Sequence, residues 1–379
     1  MTRPTLARLI TSVTAAILIA PAAGAQVTAD FPLTIGKLPS YDRVNGLSLP
    51  FGPTITFGED ERLVLDPAIA YRSHLGKVDP SLAVVGQITS DSSLGFSLSG
   101  ARGTFTNDSW IRSDLLNSVV SFGLGHDSRN YFRGDRGEAR LTSSLTSALK
   151  IPIDVATVFV GARTERDWST GWRGGSEMGP YSMWSRSDTV NGIQRPNPEI
   201  DAGHITSAIA GGHAEYLGIS GSATLDVLLE AAGKSPAGGS FQQLTINEGA
   251  IIPTLGDQHL EIGGHLVATA TNSVTPRQRY SYVGGSGSLA TVDLLSRGGD
   301  HLYFLDVLYV IPISKIEIPI LGSPYIAPHF ATGAASVGGF GSPIQNIGGR
   351  IGVSVFTLDY VVNPRTHKHD FGAGISLRR

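Results

Sequence analysis

His301-Leu-Tyr-Phe-Leu-Asp-Val-Leu-Tyr-Val-Ile-Pro-Ile313 decides the fold, together with the stretch leading into it, Arg279-Tyr-Ser-Tyr-Val-Gly-Gly-Ser-Gly-Ser-Leu-Ala-Thr-Val292. Successive side chains of an extended strand point to opposite faces. The odd positions Tyr303, Leu305, Val307, Tyr309 and Ile311 are all apolar or aromatic, whereas the even set contains Asp306. One face suits lipid and the other tolerates charge, the pattern of a strand in a membrane β-barrel. The glycine-rich approach is too long for a hairpin turn, and it reads as a flexible loop folded against or into that barrel.

Two further segments alternate clearly. In residues 139–151 the odd positions include Ala139, Leu141, Leu145 and Leu149, and the even ones Arg140, Thr142 and Lys150. In residues 222–231, Ala223, Leu225, Val227, Leu229 and Ala231 oppose Ser222, Thr224, Asp226, Leu228 and Glu230. Asp226, Glu230 and Asp306 are thereby expected to face a polar lumen. A half-buried strand of a soluble sandwich would alternate in the same way, so periodicity by itself does not prove a membrane.

Other strand candidates are residues 41–51, 65–74, 82–89, 94–100, 115–125, 204–217, 242–252 and 259–269. After the glycine-rich loop come five closing strands at 301–313, 325–337, 346–355, 356–362 and 369–379. The total of roughly 14 to 16 suits an all-β, antiparallel transmembrane barrel of about 16 strands. Closure removes the unpaired edges that an open sheet of this size would expose. Residues 166–200 break the pattern and read as a long outer loop. Its Trp168, Trp172 and Trp184 suit a headgroup girdle, or alternatively a ligand platform.

The N-terminus has Arg3 and Arg8, an apolar core from Leu9 to Ala20 and a small-residue site ending at Ala25, which together read as a secretory signal peptide over 1–25. A short segment, 26–40, precedes a barrel expected over 41–379, with its inward loop near 279–300. Of the 379 residues, 41% are hydrophobic and 16% charged, and the net charge of -3 does not call for nucleic acid as a partner. Cysteine is absent, which excludes disulfides and thiolate chemistry.

Signals for chemistry are sparse. Ser286 lacks the Gly-x-Ser-x-Gly spacing of a nucleophile elbow. His367 and His369 lack visible further metal ligands and suit a solvated hairpin tip. Arg129, Arg133, Arg136 and Arg140, interleaved with Asp127, Asp135 and Glu138, suit a pore lining or a salt-bridged loop, and either reading keeps them off the outer wall. No catalytic, cofactor or metal site is assigned.

The chain resembles the barrel domain of the bacterial surface antigen D15 / Omp85 superfamily. The residues carrying the resemblance are Tyr41-Asp-Arg-Val-Asn-Gly-Leu47, Val283-Gly-Gly-Ser-Gly-Ser-Leu-Ala-Thr-Val292, and the strand from Gly298-Gly-Asp to Ile313 with its five-strand ending. In that family the inward loop carries an Arg-Gly-aromatic tip that docks on the barrel wall. Here Ala290 stands where that arginine is expected, which implies that the charged latch is absent or replaced. Periplasmic POTRA domains are missing from the sequence, and the last strand lacks the usual terminal aromatic.

The resemblance implies a barrel-only protein in the outer membrane of a Gram-negative-type bacterium, assisting insertion or translocation of protein or lipid. Its expected partners are outer-membrane lipid, an unfolded outer-membrane or secreted polypeptide, and a separate periplasmic protein. The loop Gly284, Gly285, Ser286, Gly287, Ser288, Leu289 and Ala290 would be its plug or latch. A passive diffusion channel and an outer-membrane hydrolase are the alternatives.

Overall fold

The computed structural model describes residues 27–30, 37–58, 62–146, 149, 153–170, 195–219, 221–319 and 321–375. The signal peptide read at 1–25, Trp172, Trp184 and the last residues of the final strand lie outside them.

The first strands are Val27–Asp30 (β1), Ser40–Asp42 (β2), Gly46–Phe51 (β3), Thr54–Phe57 (β4), Leu63–Arg72 (β5), Lys77–Gln87 (β6) and Leu94–Phe105 (β7). A helix, Asp114–Leu124 (α1), precedes Phe132–Ser144 (β8), Val155–Trp168 (β9), Gly203–Leu217 (β10), Ser222–Ala232 (β11), Phe241–Pro253 (β12) and His259–Thr269 (β13). Two short strands, Ser281–Val283 (β14) and Arg297–Gly299 (β15), form a separate hairpin. The closing run is His301–Pro312 (β16), Tyr325–Ser336 (β17), Ile344–Val353 (β18), Phe356–Val362 (β19) and His369–Ile375 (β20).

All but β14 and β15 belong to one antiparallel sheet of 18 segments. β3 and β4 both pair with β5, and β2 and β1 pair in turn with β3 and β4, so each of these pairs is one interrupted strand. Among the described residues the 18 segments therefore make about sixteen barrel strands, the size expected of an even-numbered barrel. Consecutive strands pair with their sequence neighbours throughout, and no ladder among the described residues joins β20 to β1 or β2. The sheet begins at Val27, inside the segment read as preceding the barrel, because β1 pairs with β4.

Burial separates the two faces. On β11, Glu230 and Ala232 are buried, whereas Leu225 and Leu229 are exposed on the alternate face. Val158 and Val160 on β9, Ile347 and Ile351 on β18, and Leu358 and Tyr360 on β19 extend this exposed apolar surface. Such an outward band belongs in acyl chains. The long connections 106–131, 169–202 and 270–300 all leave from one end of the barrel, where outer loops are expected.

Three elements depart from the sequence reading. Residues 41–51 are two strand ends, of β2 and β3, joined by a turn over 43–45, because Asp42 Oδ1 accepts the N–H groups of Val44 (2.9 Å) and Asn45 (2.7 Å) and Gly46 takes a positive φ. Residues 115–125 are helical, not a strand: Ser113 caps the N-terminus, Gly125 adopts the left-handed conformation at the C-terminus, and Leu115, Val119 and Phe122 recur at helical spacing. Of the arginine cluster, Arg133, Arg136 and Arg140 belong to β8 and Arg129 to the loop before it, and β9 has no counterpart in the sequence reading because charges crowd both faces of its outer half. One charge of the cluster expected to keep off the outer wall lies on it: Asp135 of β8 pairs by register with exposed Arg166 and is bridged by Arg102 at 2.6 Å. It lies near the loop end of the strand, where water reaches it.

An arginine at Val227, on the outward face of β11, should destabilise the refolded barrel in vesicles by about 2–4 kcal/mol. Leu228→Arg, one residue along and facing inward, should lose far less. Urea unfolding followed by heat-modifiable gel mobility distinguishes them; equal losses would overturn the face assignment, and a larger loss at 228 would reverse it.

Candidate functional site: a loop tied across the barrel

The loop between β13 and β16 packs on the inner face of the sheet. It begins with a single 3-10 turn, Arg277–Arg279, which places Arg279 against the wall with only 5% of its surface exposed. Arg279 Nε donates to Glu230 Oε2 at 2.9 Å and its Nη2 to Glu230 Oε1 at 2.9 Å. The same Nη2 also donates to Glu165 of β9. This two-pronged geometry needs a guanidinium, because its fixed fork matches a carboxylate edge.

The two carboxylates are held by further charges. Arg136 Nε of β8 donates to Glu165 Oε2 at 2.9 Å, and Arg163 Nη1 of β9 donates to Glu230 Oε2 at 3.3 Å. Ser207 Oγ adds a bond to Glu230 Oε1 at 2.8 Å. Arg163 also reaches Glu138 Oε2 at 2.7 Å, and Glu138 in turn takes Arg140. Cations and anions thus alternate along Arg140, Glu138, Arg163, Glu230, Arg279, Glu165 and Arg136, so no buried charge stands alone. Alternation is what makes such burial tolerable, since an uncompensated interior charge costs several kcal/mol. Beside Arg279, Gln278 donates to Asp167 Oδ2 at 3.3 Å and to the Asp201 carbonyl at 2.9 Å.

Beyond Arg279 the loop crosses the barrel. The β14–β15 hairpin carries a compact turn whose Leu289 is fully buried with Val267, Val283, Leu302, Phe304 and Ala331. Thr291 Oγ1 lies 2.5 Å from the side-chain amide of buried Asn346 on β18. The tip is therefore packed rather than flexible. Gly284 has φ +126°, and a Cβ there would lie 2.2 Å from the Asp293 carbonyl oxygen, so only glycine fits. Ser288 Oγ accepts the Gly284 N–H at 2.9 Å and Ser286 Oγ meets Arg112 Nη2 at 2.9 Å, whereas Ala290 is part of the turn beside Thr291. Gly285 and Gly287 also take positive φ.

A second loop, residues 106–131, shares the interior. Asn107 Nδ2 donates to the Gln278 carbonyl at 2.5 Å, Asp108 Oδ1 accepts the Tyr282 N–H at 3.3 Å, and Ile111 packs with Leu294 and Leu295. Trp110 stacks on His265 of β13, with ring centroids 4.4 Å apart, and touches Phe304. Arg43, in the turn after β2, is fully buried and donates to the carbonyls of Arg195 (2.6 Å) and Arg129 (2.9 Å).

Of the residues expected in the lumen, Glu230 is a latch partner. Asp226 shares its face and bonds His213 Nδ1 on β10 at 2.8 Å, and Asp306 bonds His329 Nε2 on β17 at 2.6 Å, so neither is in the latch network. The charged tie to the wall that Ala290 cannot make is made by Arg279, eleven positions earlier in the chain. The signal that could have found it was an arginine at the loop's entry, set against the inward glutamates Glu230 of β11 and Glu165 of the charged β9.

Arg279→Ala would leave two buried carboxylates short of their shared cation and should lower barrel stability by about 3–5 kcal/mol, with Arg279→Lys in between. Urea unfolding of the refolded protein measures both. Burial pushes the Asp108 carboxyl up to about 7, against the N–H groups of Asn130 and Tyr282 and the nearby Arg195 and Arg129 that pull it down. The docked loop holds that proton more tightly than a free carboxyl near 3.8 does, so docking is most stable below pH 3.8 and weakens as pH rises to about 7. Hydrogen exchange at the Asn130 and Tyr282 amides, corrected for intrinsic rates, should accordingly be better protected at about pH 5 than at about pH 8. Asp108→Asn should flatten the difference.

No family model and no curated protein matches the sequence. Among solved structures, BamA from Haemophilus ducreyi lacking POTRA domains 1-3 superposes at TM-score 0.51 and 13% identity, covering 92% of this chain and 70% of that one. CdiB from Escherichia coli gives TM-score 0.44 at 9% identity, over 93% of this chain and 67% of its own. An identity of 13% speaks for the fold alone, and with the sixteen-strand count and the inward loop before five closing strands, the chain has a fold like that of the BamA barrel.

Proposed function

We propose that this protein is an outer-membrane barrel that assists insertion or translocation of polypeptide or lipid, working without covalent chemistry or a cofactor. One observation carries the reading: the loop over 270–300 is tied to the wall at both ends, by Arg279 to β9 and β11 and by Thr291 to β18, so that it bridges the interior. A passive channel needs a standing aqueous path, whereas a bridged and packed interior favours a barrel that opens only when the latch is released. Its substrates would be an unfolded polypeptide or a lipid, supplied by a separate periplasmic partner. Asp226 and Asp306, on the latch face, would shape the field of whatever space the opened loop leaves.

Single-channel conductance of the refolded mature chain in a planar bilayer tests this. The intact protein should be nearly closed, and both Arg279→Ala and deletion of residues 284–292 should raise open probability. A large, steady conductance in the intact protein, unchanged by either alteration, would make it a diffusion channel.

A further inference from the structure

The latch does not use helix α1, which carries two opposite faces. Asn117, Val120 and Ser121 turn inward; Asn117 Nδ2 meets Asp127 Oδ1 and the Tyr131 hydroxyl, both at 3.3 Å, and its Oδ1 accepts the Ser128 N–H at 3.1 Å. On the other face Leu115, Val119 and Phe122 are each about half exposed, at 45%, 48% and 46%. No charged residue occurs from Leu115 through Gly125. An apolar stripe of this kind, with no charged rim, is poorly suited to bulk water.

The position of the helix identifies what covers the stripe. α1 packs on β2, the outer end of the first barrel strand. The Tyr41 N–H, on that strand's edge, donates to Ser118 Oγ at 2.7 Å, and the Tyr41 ring meets Phe122 edge-on with centroids 5.4 Å apart. Tyr41 pairs by register with Leu47, and Leu49 and Phe51 pair with Tyr71 and Ile69, so these residues share one face of the sheet. Leu47, Leu49, Phe51, Ile69 and Tyr71 are all exposed on the outward wall. The stripe on α1 thus continues the barrel's apolar surface across the edge of its first strand.

We propose that the Leu115, Val119 and Phe122 face of α1 lies among the acyl chains of the leaflet at the loop end, as an anchor beside the first strand. Lipid has no groups to satisfy an exposed edge amide, and a bare N–H there costs several kcal/mol. Ser118 supplies the acceptor for Tyr41 while Phe122 and its neighbours supply the apolar cover. This covers the edge of the first strand's outer end, and the internal face of the same helix ties that end to the rest of loop 106–131 and so to the latch. The proposal rests on the membrane-barrel reading.

The chain has no cysteine, so single-cysteine variants can be spin-labelled without background. Val119→Cys, Phe122→Cys, a wall control Leu229→Cys and a loop control Thr366→Cys would be refolded into phosphatidylcholine vesicles. Each would be checked by heat-modifiable mobility, then relaxed with oxygen, which concentrates in lipid, and with a nickel chelate, which stays in water. Oxygen should dominate at 119 and 122 as at 229, with nickel dominating at 366. Nickel access at 119 and 122 with a lipid-like 229 overturns the anchor alone. Exclusion of both reagents at 119 and 122, with dimers trapped by cross-linking, assigns the stripe to a second copy and also overturns it. Nickel access at 229 overturns the membrane barrel, and the anchor with it.

Discussion

The interior of this barrel depends on one buried guanidinium. Arg279 is an almost fully buried cation, and it can remain there because Glu165 and Glu230 reach it from two strands that flank β10. Those carboxylates are in turn tolerable only because Arg136 and Arg163 stand on their far sides. Removing any one member strands its neighbours, so the ladder specifies one docked position of the loop far more sharply than apolar contact could. Strand pairing sets the heights of Glu165, Glu230 and Arg136 on the wall, and the loop must arrive where they converge.

The rest of the interior is built outward from that tie. With the loop's entry pinned, the β14–β15 hairpin directs its tight glycine turn toward β16 to β18, where Leu289 fills an apolar pocket and Thr291 finds Asn346. Loop 106–131 then packs on the first loop through Asn107, Asp108 and Ile111, and Arg43 joins the turn after β2 to both it and residues 195–197. Movement of the latch would therefore be felt at the edge of the first strand. The connection runs through contiguous hydrogen bonds and packed side chains, a physical basis for coupling between the interior and that edge.

How much of this could be read beforehand differed by element. Strands such as β11 and β16 were legible because their outward faces are uniformly apolar. β9 was not: Arg163, Glu165 and Asp167 face the latch while Thr164 and Arg166 face outward near the loop end, so the period-two signal is lost in charge. α1 was mistaken for a strand because a short apolar run carries little information on its period. Its Ser113 cap and its Gly125 terminus were the better guides. Among latch residues Glu230 was singled out by its clear alternation and Arg136, Glu138 and Arg140 as a mixed-charge cluster; Arg279 looked like an ordinary loop residue because nothing local marks a cation that will be buried.

Alternation of apolar and polar side chains, turn chemistry and composition by themselves determined an antiparallel barrel of about sixteen strands with a long loop before the last five. These follow from local rules, since strand period and turn geometry act over a few residues and the bilayer sorts the two faces. Only the tertiary structure decided which arginine forms the latch, that the loop tip is packed, and that a helix meets the first strand's edge. Each depends on groups separated by tens to over a hundred residues in sequence, such as Arg279 and Glu165. Their meeting is settled by strand register along the wall, which no local pattern encodes.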